Sequence, residues 1–153
     1  MKKIAFLIFF NIFFAHILFT EETENKTNNK GTIIVKVIGL RNNKGKVGVA
    51  LYNTKSSFPK RSGAFKKAAA APSKGVGTVY FKNMQYGTYA VGVLHDENKN
   101  NRLDKSVIGI PNEGVGVSNN PSLRGRPTWK QACFTLDSET KTIVIKIKYI
   151  KIF

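Results

Sequence analysis

Short runs of alternating apolar and polar residues follow one another from Gly31 almost to the C-terminus, separated by Gly, Pro and Asn. A spacing of two places successive side chains on opposite faces of a strand, so each run can bury one face and expose the other. Six such runs stand out: TIIVKVIGL, KVGVALYN, GTVYFKN, TYAVGVLHD, KQACFTLD and KTIVIKIKYI. The sequence therefore predicts an all-β fold, a single antiparallel β-sandwich of six to eight strands.

The same spacing predicts which side chains fill the core. In the last run, Ile143, Ile145 and Ile147 share one face, and the lysines between and after them point the other way. We expect the following residues to point inward: Val35, Val37, Val49, Leu51, Phe81, Val91, Val93, Phe134, Ile143, Ile145 and Ile147. The segment AFKKAAAA, residues 64–71, differs from these runs and predicts a turn or two of helix before Pro72.

The length and the N-terminus indicate how the chain is organised. Its 153 residues suit one ordinary domain. Residues 1–20 join a charged start to an apolar run from Ile4 to Phe19, which is typical of a secretory signal peptide. Residues 21–30 are polar and predict a flexible linker, which leaves residues 31–153 as the β-sandwich domain. We expect export to the periplasm or the extracellular space, with no stable membrane span after signal cleavage; retention as an uncleaved N-terminal anchor is the alternative.

The charge balance narrows the range of partners. The chain has 25 Lys and Arg residues against 9 Asp and Glu residues, a formal net charge of +16. Such a surface attracts anions at long range, so an anionic surface or polymer is a candidate partner, although the sequence identifies none, and we expect no specific nucleic-acid binding. Arg124, Arg126 and Lys130 lie close to Trp129 in the sequence and are the candidate anion-binding residues. We expect all three to be exposed.

Residues 95–104, HDENKNNRLD, bring together three of the nine acidic residues of the chain. Carboxylates and amides alternate in this stretch, which is the pattern of a loop wrapped around a hard cation. Counted from Asp96 as position one, the oxygen-bearing side chains fall at positions one, three, five and nine of an EF-hand loop, and a backbone carbonyl falls at position seven. These residues are Asp96, Asn98, Asn100 and Asp104, with Arg102 supplying the carbonyl.

The loop differs from an EF-hand in its surroundings and in two positions. Val107 stands at position twelve, where the EF-hand has a bidentate glutamate, and the loop follows a predicted strand rather than a helix. Asn101 stands at position six, where the chain must turn sharply, and asparagine tolerates the left-handed backbone conformation. We therefore predict a calcium-type loop on a β scaffold, with Ca²⁺ as the candidate cofactor and Glu113 as the replacement carboxylate.

Several alternatives remain open from the residues alone. The loop can be a cation-free turn whose side chains cap backbone amides, helped by Lys99, Arg102 or Lys105. For the whole protein, we expect a non-enzymatic exported module and assign no catalytic residue, because no nucleophile motif has recognisable spacing. A basic module that binds anionic polysaccharide or lipid is the first alternative. A metal-dependent enzyme that uses His95 and the nearby carboxylates is the second.

Two stretches also carry a family resemblance. YGTYAVGVLHDENKNNRLD, residues 86–104, and GIPNEGVGVSNN, residues 109–120, resemble the bacterial exported family known as domain of unknown function 2141. The resemblance runs from about Gly31 to Tyr149. It implies a prealbumin-like β-sandwich, of the transthyretin or carboxypeptidase-regulatory type, and it implies no reaction or substrate. Asn101 stands where the family often has Gly, and Val117 stands where it often has an aromatic residue.

Overall fold

The computed structural model describes residues 29–122 and 125–150. The predicted signal peptide, most of the predicted linker and Arg124 lie outside these residues. In chain order, the strands are β1 (Lys30–Ile38), β2 (Lys46–Tyr52), β3 (Lys66–Ala70), β4 (Val76–Gln85), β5 (Gly87–Asp96), β6 (Gly114–Val117), β7 (Phe134–Leu136) and β8 (Thr140–Lys146). A short 3-10 turn spans Arg61–Gly63, and helix α1 spans Trp129–Ala132. Neither helical segment in this part of the chain is long and apolar enough to cross a membrane.

The strands form two sheets that pack face to face. The first sheet has three strands in the order β4-β1-β8. The second has five strands, in the order β3-β2-β5-β6, with β7 pairing with the beginning of β5. The predicted all-β sandwich is confirmed. One pair departs from the antiparallel arrangement, because β1 and β8 run parallel.

Inward-facing side chains from both sheets form one core, as the period of two predicts. Of the eleven residues predicted to point inward, ten are buried, and Phe134 is partly buried against the same cluster. Val35 of β1 and Leu51 of β2 have no exposed surface, so the two sheets meet without solvent between them. This core holds the two sheets together as a single unit.

The segment AFKKAAAA does not form the predicted helix. Residues Lys66–Ala70 instead form the edge strand β3, which pairs with β2. Ala68 and Ala70 pack against the core, so partnership with β2 and burial of every second side chain override the helical preference of alanine.

Two further elements differ from the sequence prediction. The run KQACFTLD is divided, because α1 ends at Ala132 and β7 begins at Phe134. The helical turn begins where the side-chain oxygen of Gln131 accepts a hydrogen bond from the backbone N–H of Thr128 at 3.0 Å. Strand β6 has the sequence GVGV, which is too short and too rich in glycine to show a strand period.

Strand β5 places the loop of interest at one end of the sandwich. The connection around Tyr86 leads from the three-stranded sheet to the five-stranded sheet, at the end where β1 begins, because Lys30 pairs with Gln85. From Gly87, β5 runs for 10 residues and ends at Asp96. The loop that follows therefore lies at the end of the sandwich opposite to the start of β1.

Candidate metal centre

Asp96 ends β5 and is the first residue of the candidate loop. It is 1% exposed, and its Oδ2 accepts a hydrogen bond from the backbone N–H of Asn101 at 2.9 Å. Its Oδ1 is buried and has no hydrogen-bond partner among the described residues. A buried carboxylate oxygen without a donor or a cation costs free energy, so Oδ1 is suited to a ligand that brings positive charge.

The backbone of the loop turns sharply through short-range hydrogen bonds. Asn98 Oδ1 accepts a hydrogen bond from the N–H of Asn100 at 3.0 Å, and Asn100 Oδ1 accepts one from the N–H of Arg102 at 2.8 Å. Asn101 has a φ of 64°, the left-handed conformation that the sequence predicts for position six. These contacts are turns of the Asx type, and they are the contacts expected of the cation-free alternative.

Asp104 is the second carboxylate of the loop, and the side chains of Asn98 and Asn100 both reach it. The Asn98 Nδ2 donates to Asp104 Oδ2 at 2.7 Å. The Asn100 Nδ2 donates to Asp104 Oδ1 at 2.9 Å and to Oδ2 at 3.1 Å. The structure therefore brings together positions three, five and nine of the predicted shell, with the amide nitrogens directed at the carboxylate.

Glu113 contacts the backbone at both ends of the loop. It is 5% exposed, and its Oε1 accepts a hydrogen bond from the N–H of Glu97 at 3.0 Å. Its Oε2 accepts one from the N–H of Asp104 at 3.2 Å. Glu113 thus links the first and last parts of the loop through one carboxylate. Each oxygen retains a second acceptor site, so its predicted role as an ion ligand is compatible with these contacts and stays a prediction.

Lys46 brings an ammonium group to the loop. The Lys46 Nζ lies 3.7 Å from Asp96 Oδ2 and donates to Asn101 Oδ1 at 2.7 Å. The sequence pointed to Lys99, Arg102 and Lys105 as the basic neighbours, and it missed Lys46. Lys46 is the first residue of β2 and pairs directly with Asp96 in the sheet, so the strand register is the signal that identifies it.

The ligand atoms that the loop can offer a metal ion are carboxylate, amide and backbone carbonyl oxygens. Within residues 29–122 and 125–150, no group of three or more His, Cys, Asp or Glu side chains is arranged to hold a metal ion. The predicted shell instead draws on amide and backbone oxygens as well as carboxylates, which is the ligand set of a hard cation such as Ca²⁺.

His95 immediately precedes the loop and faces the interior. It has no exposed surface, and its Nε2 lies 2.9 Å from the carbonyl oxygen of Lys44. Because a carbonyl can only accept, Nε2 carries the proton, and in the neutral ring Nδ1 accepts a hydrogen bond from the Tyr149 hydroxyl at 2.6 Å. Both ring nitrogens are therefore engaged in contacts that join β5 to the loop before β2 and to the segment after β8.

Glu97 joins the candidate loop to the connection between β1 and β2. One carboxylate oxygen contacts Arg41 Nη2 at 2.6 Å, and the other accepts a hydrogen bond from Asn42 Nδ2 at 2.9 Å. Partial burial alone raises the pKa of Glu97, but the hydrogen bond from Asn42 and the charge and hydrogen bond of Arg41 outweigh it and hold the pKa below the usual value of 4.5. The Arg41 guanidinium also lies over the Tyr149 ring, 4.5 Å from its centre.

The lowered pKa of Glu97 predicts a loss of stability in acid. Because the folded state has the lower pKa, its stabilisation is present above the unfolded pKa and is lost as the pH falls through the folded pKa. Wild type should have a higher free energy of unfolding than Glu97→Gln at pH 7, and the difference should shrink as the pH falls below the usual pKa of 4.5. Urea unfolding at several pH values measures it, with exposed Glu139→Gln as the control. A difference independent of pH would contradict the role of the ion pair.

Gly45 allows the connection before β2 to lie against the start of the loop. Its φ is 68°, and a Cβ there would overlap the carbonyl oxygen of Asp96 and the Cα of Glu97. Only glycine provides both the left-handed conformation and this close approach. The position of Asp96 therefore depends on a glycine that the sequence pattern did not single out.

The candidate anion-binding residues lie apart from this loop in the sequence. Arg126 and Lys130 are exposed, as predicted, and Lys130 lies in α1. Arg124 lies outside the described residues. Cys133 is partly buried.

Comparison with known proteins identifies the family of this chain. No curated protein and no solved structure matches the chain. One family model matches residues 35–144, which include nearly all of the sandwich and the whole candidate loop. The chain therefore belongs to the DUF2141 family, whose description is "Uncharacterized protein conserved in bacteria".

Proposed function

We propose that the protein is an exported, non-enzymatic β-sandwich module in which a calcium-type ion stiffens one end for contact with a ligand or a surface. The observation that carries the ion site is the buried Oδ1 of Asp96, which has no hydrogen-bond partner among the described residues and begins a loop rich in oxygen ligands. The two packed sheets also support the transthyretin-like type that the family resemblance implies.

The proposed shell consists of side-chain oxygens and one carbonyl. Its members are Asp96, Asn98, Asn100, the carbonyl of Arg102, Asp104 and Glu113. The ion takes the place of the amide hydrogen bonds that now join the two asparagines to Asp104, because the amides must present oxygen to a cation. Glu113 keeps its two backbone contacts and adds charge from the far side of the loop.

Lys46 competes with the ion for Asp96. Its ammonium group neutralises part of the negative charge of the loop, so binding of a divalent cation has to displace it or weaken its contact. The formal charge of +16 adds a long-range repulsion of cations. Together these effects favour a weak site, with a dissociation constant of about 0.1 to 1 mM, as in extracellular calcium modules.

The position of His95 supports the non-enzymatic half of the proposal. A general base must reach its substrate, and His95 is fully buried with both ring nitrogens in hydrogen bonds to the protein. An enzyme that uses His95 would therefore have to open this end of the sandwich. The lowered pKa of Glu97 also has structural causes, the hydrogen bond from Asn42 and the contact with Arg41, which outweigh the effect of burial.

Calcium titration of the full chain, freed of metal with a chelator, tests the proposed site. Isothermal titration calorimetry should show one site per chain, and Asp104→Asn should weaken it at least tenfold, because it removes one of the charged ligands. Asp137→Asn makes the same change at an exposed position outside the loop and should leave the dissociation constant unchanged. Absence of binding to wild type, or equal binding by Asp104→Asn, would identify the loop as a hydrogen-bonded turn.

A further inference from the structure

A groove of about 860 Å³ lies on the outer face of the five-stranded sheet. Two rows of cross-strand neighbours form its floor: Lys67, Ala50, Gly92 and Val117 in one, and Ala69, Gly48, Leu94 and Val115 in the other. Of the four central residues, Ala50, Gly92 and Gly48 have little or no side chain, and the fourth is Leu94. The floor is therefore open, nearly flat and mostly apolar.

Two different parts of the chain form the walls of this groove. On one side lie Pro59 and Arg61 of the connection between β2 and β3, with Tyr52 buried at the end of β2. On the other side lie Leu103 and Pro111, which belong to the segment between β5 and β6.

The charges that line the groove are all positive. Five basic residues contribute to the lining, and no acidic residue does so in the described part of the chain: Lys46, Arg61, Lys67, Lys105 and Arg126. The Arg61 Nη1 lies 3.7 Å from the place that a Cβ on Gly48 would occupy, so the guanidinium reaches over the floor. Arg126, predicted from the sequence to bind anions, is part of this lining, which connects that prediction to an apolar surface.

We propose that this groove binds an amphiphilic anion, with an unbranched apolar chain and one carboxylate, sulfate or phosphate head group. The apolar chain lies on the Gly48, Ala50 and Gly92 floor, and the head group pairs with Arg61 and Lys67. The volume falls within the range of about 300 to 1,000 Å³ that is usual for small-molecule sites. A second copy of the chain fits less well, because each copy carries a formal charge of +16. The proposal does not depend on the calcium site.

Calorimetric titration of the full chain with sodium dodecanoate, below its micellar concentration, tests the proposal. Gly48→Leu should weaken binding at least tenfold, because it fills the floor; a Cβ at this position meets no atom closer than 3.7 Å, so the variant is expected to fold. Lys67→Glu should weaken binding as strongly by reversing a charge at the rim. Lys36→Glu makes the same charge change at an exposed position on the other sheet and should change the dissociation constant less than twofold.

Further variants and probes distinguish binding in the groove from unspecific uptake of amphiphiles and from self-association. Ala69→Leu, at an exposed position of the edge strand, should also weaken binding if Gly48→Leu does not fold. Every variant retains the apolar N-terminal run, so any dodecanoate that this run takes up contributes equally to all. Unchanged binding of dodecanoate in both leucine variants would overturn the proposal. The same holds if wild type binds dodecyltrimethylammonium as tightly as dodecanoate, or if Lys36→Glu weakens binding as much as Lys67→Glu does. Dimerisation of wild type that Gly48→Leu abolishes would assign the groove to a second copy instead.

Discussion

Glu113→Ala is expected to lower the free energy of unfolding by about 2 to 4 kcal/mol, because two backbone donors lose their acceptor at once. The donors are the N–H groups of Glu97 and Asp104, and the carboxylate that binds both is 5% exposed. Truncation also removes the link between the two ends of the loop. This effect should appear without any metal, since it depends only on hydrogen bonds within the protein.

Urea unfolding in the presence of a chelator measures this loss. Glu113→Gln keeps one acceptor oxygen and should give an intermediate value, because its amide nitrogen faces a second donor. Glu139→Ala removes an exposed glutamate and should change the free energy of unfolding by less than about 0.5 kcal/mol. A loss below about 1 kcal/mol for Glu113→Ala would show that water replaces the carboxylate at little cost.

Calcium should raise the melting temperature of wild type and leave that of Asp96→Ala unchanged. At a calcium concentration ten times the dissociation constant, binding to the folded state alone adds about 1.4 kcal/mol to stability. That gain corresponds to a rise of about 4 to 8 °C for a domain of this size. Asp96→Ala removes the buried oxygen that has no hydrogen-bond partner among the described residues, so the rise should disappear.

Lys46→Met separates the calcium site from the cation-free turn. The substitution removes the ammonium group that contacts Asp96 and Asn101, so the melting temperature in chelator should be lower than that of wild type. With calcium, the same protein should recover and show a larger rise than wild type, because the competing charge is gone. A lowered melting temperature that calcium does not restore would support the turn without a metal ion, in which the Lys46 ammonium group supplies the positive charge. Differential scanning calorimetry with calcium and with chelator measures both states.

The strand pattern of the sequence was sufficient for most of the sandwich. Ile143, Ile145 and Ile147 recur at every second position and are followed by Lys146 and Lys148 on the opposite face, so the place of the isoleucines in the core follows from the sequence alone. The edge strand β3 could not be predicted in this way, because alanine and lysine favour helix, and only pairing with β2 makes the segment extended. Strand β6 is also difficult to predict from the sequence, since its glycines have no side chains to show a period of two.

The carboxylates and amides of the candidate site were predictable from the sequence, including Glu113, which contacts both ends of the loop. Asp96, Asn98, Asn100 and Asp104 form a local pattern, and the structure brings the last three into contact. Lys46 reaches the loop through strand register, which the sequence alone does not fix. The contact of His95 with Tyr149 joins residues 54 positions apart, and it requires the end of β5 and the segment after β8 to lie side by side.

The two ends of β5 lie at opposite ends of the sandwich, which determines what the protein exposes when it is attached at one end. The chain enters the sandwich at Lys30, next to Gln85 in the three-stranded sheet, whereas the loop after Asp96 lies at the far end of β5, in the five-stranded sheet. At about 3.3 Å per residue, the 10 residues of β5 separate the two ends by about 30 Å. A protein held by its N-terminal side would therefore present the loop outward, away from its support, and a bulky fusion at the C-terminal side would crowd it, because Tyr149 packs beside His95.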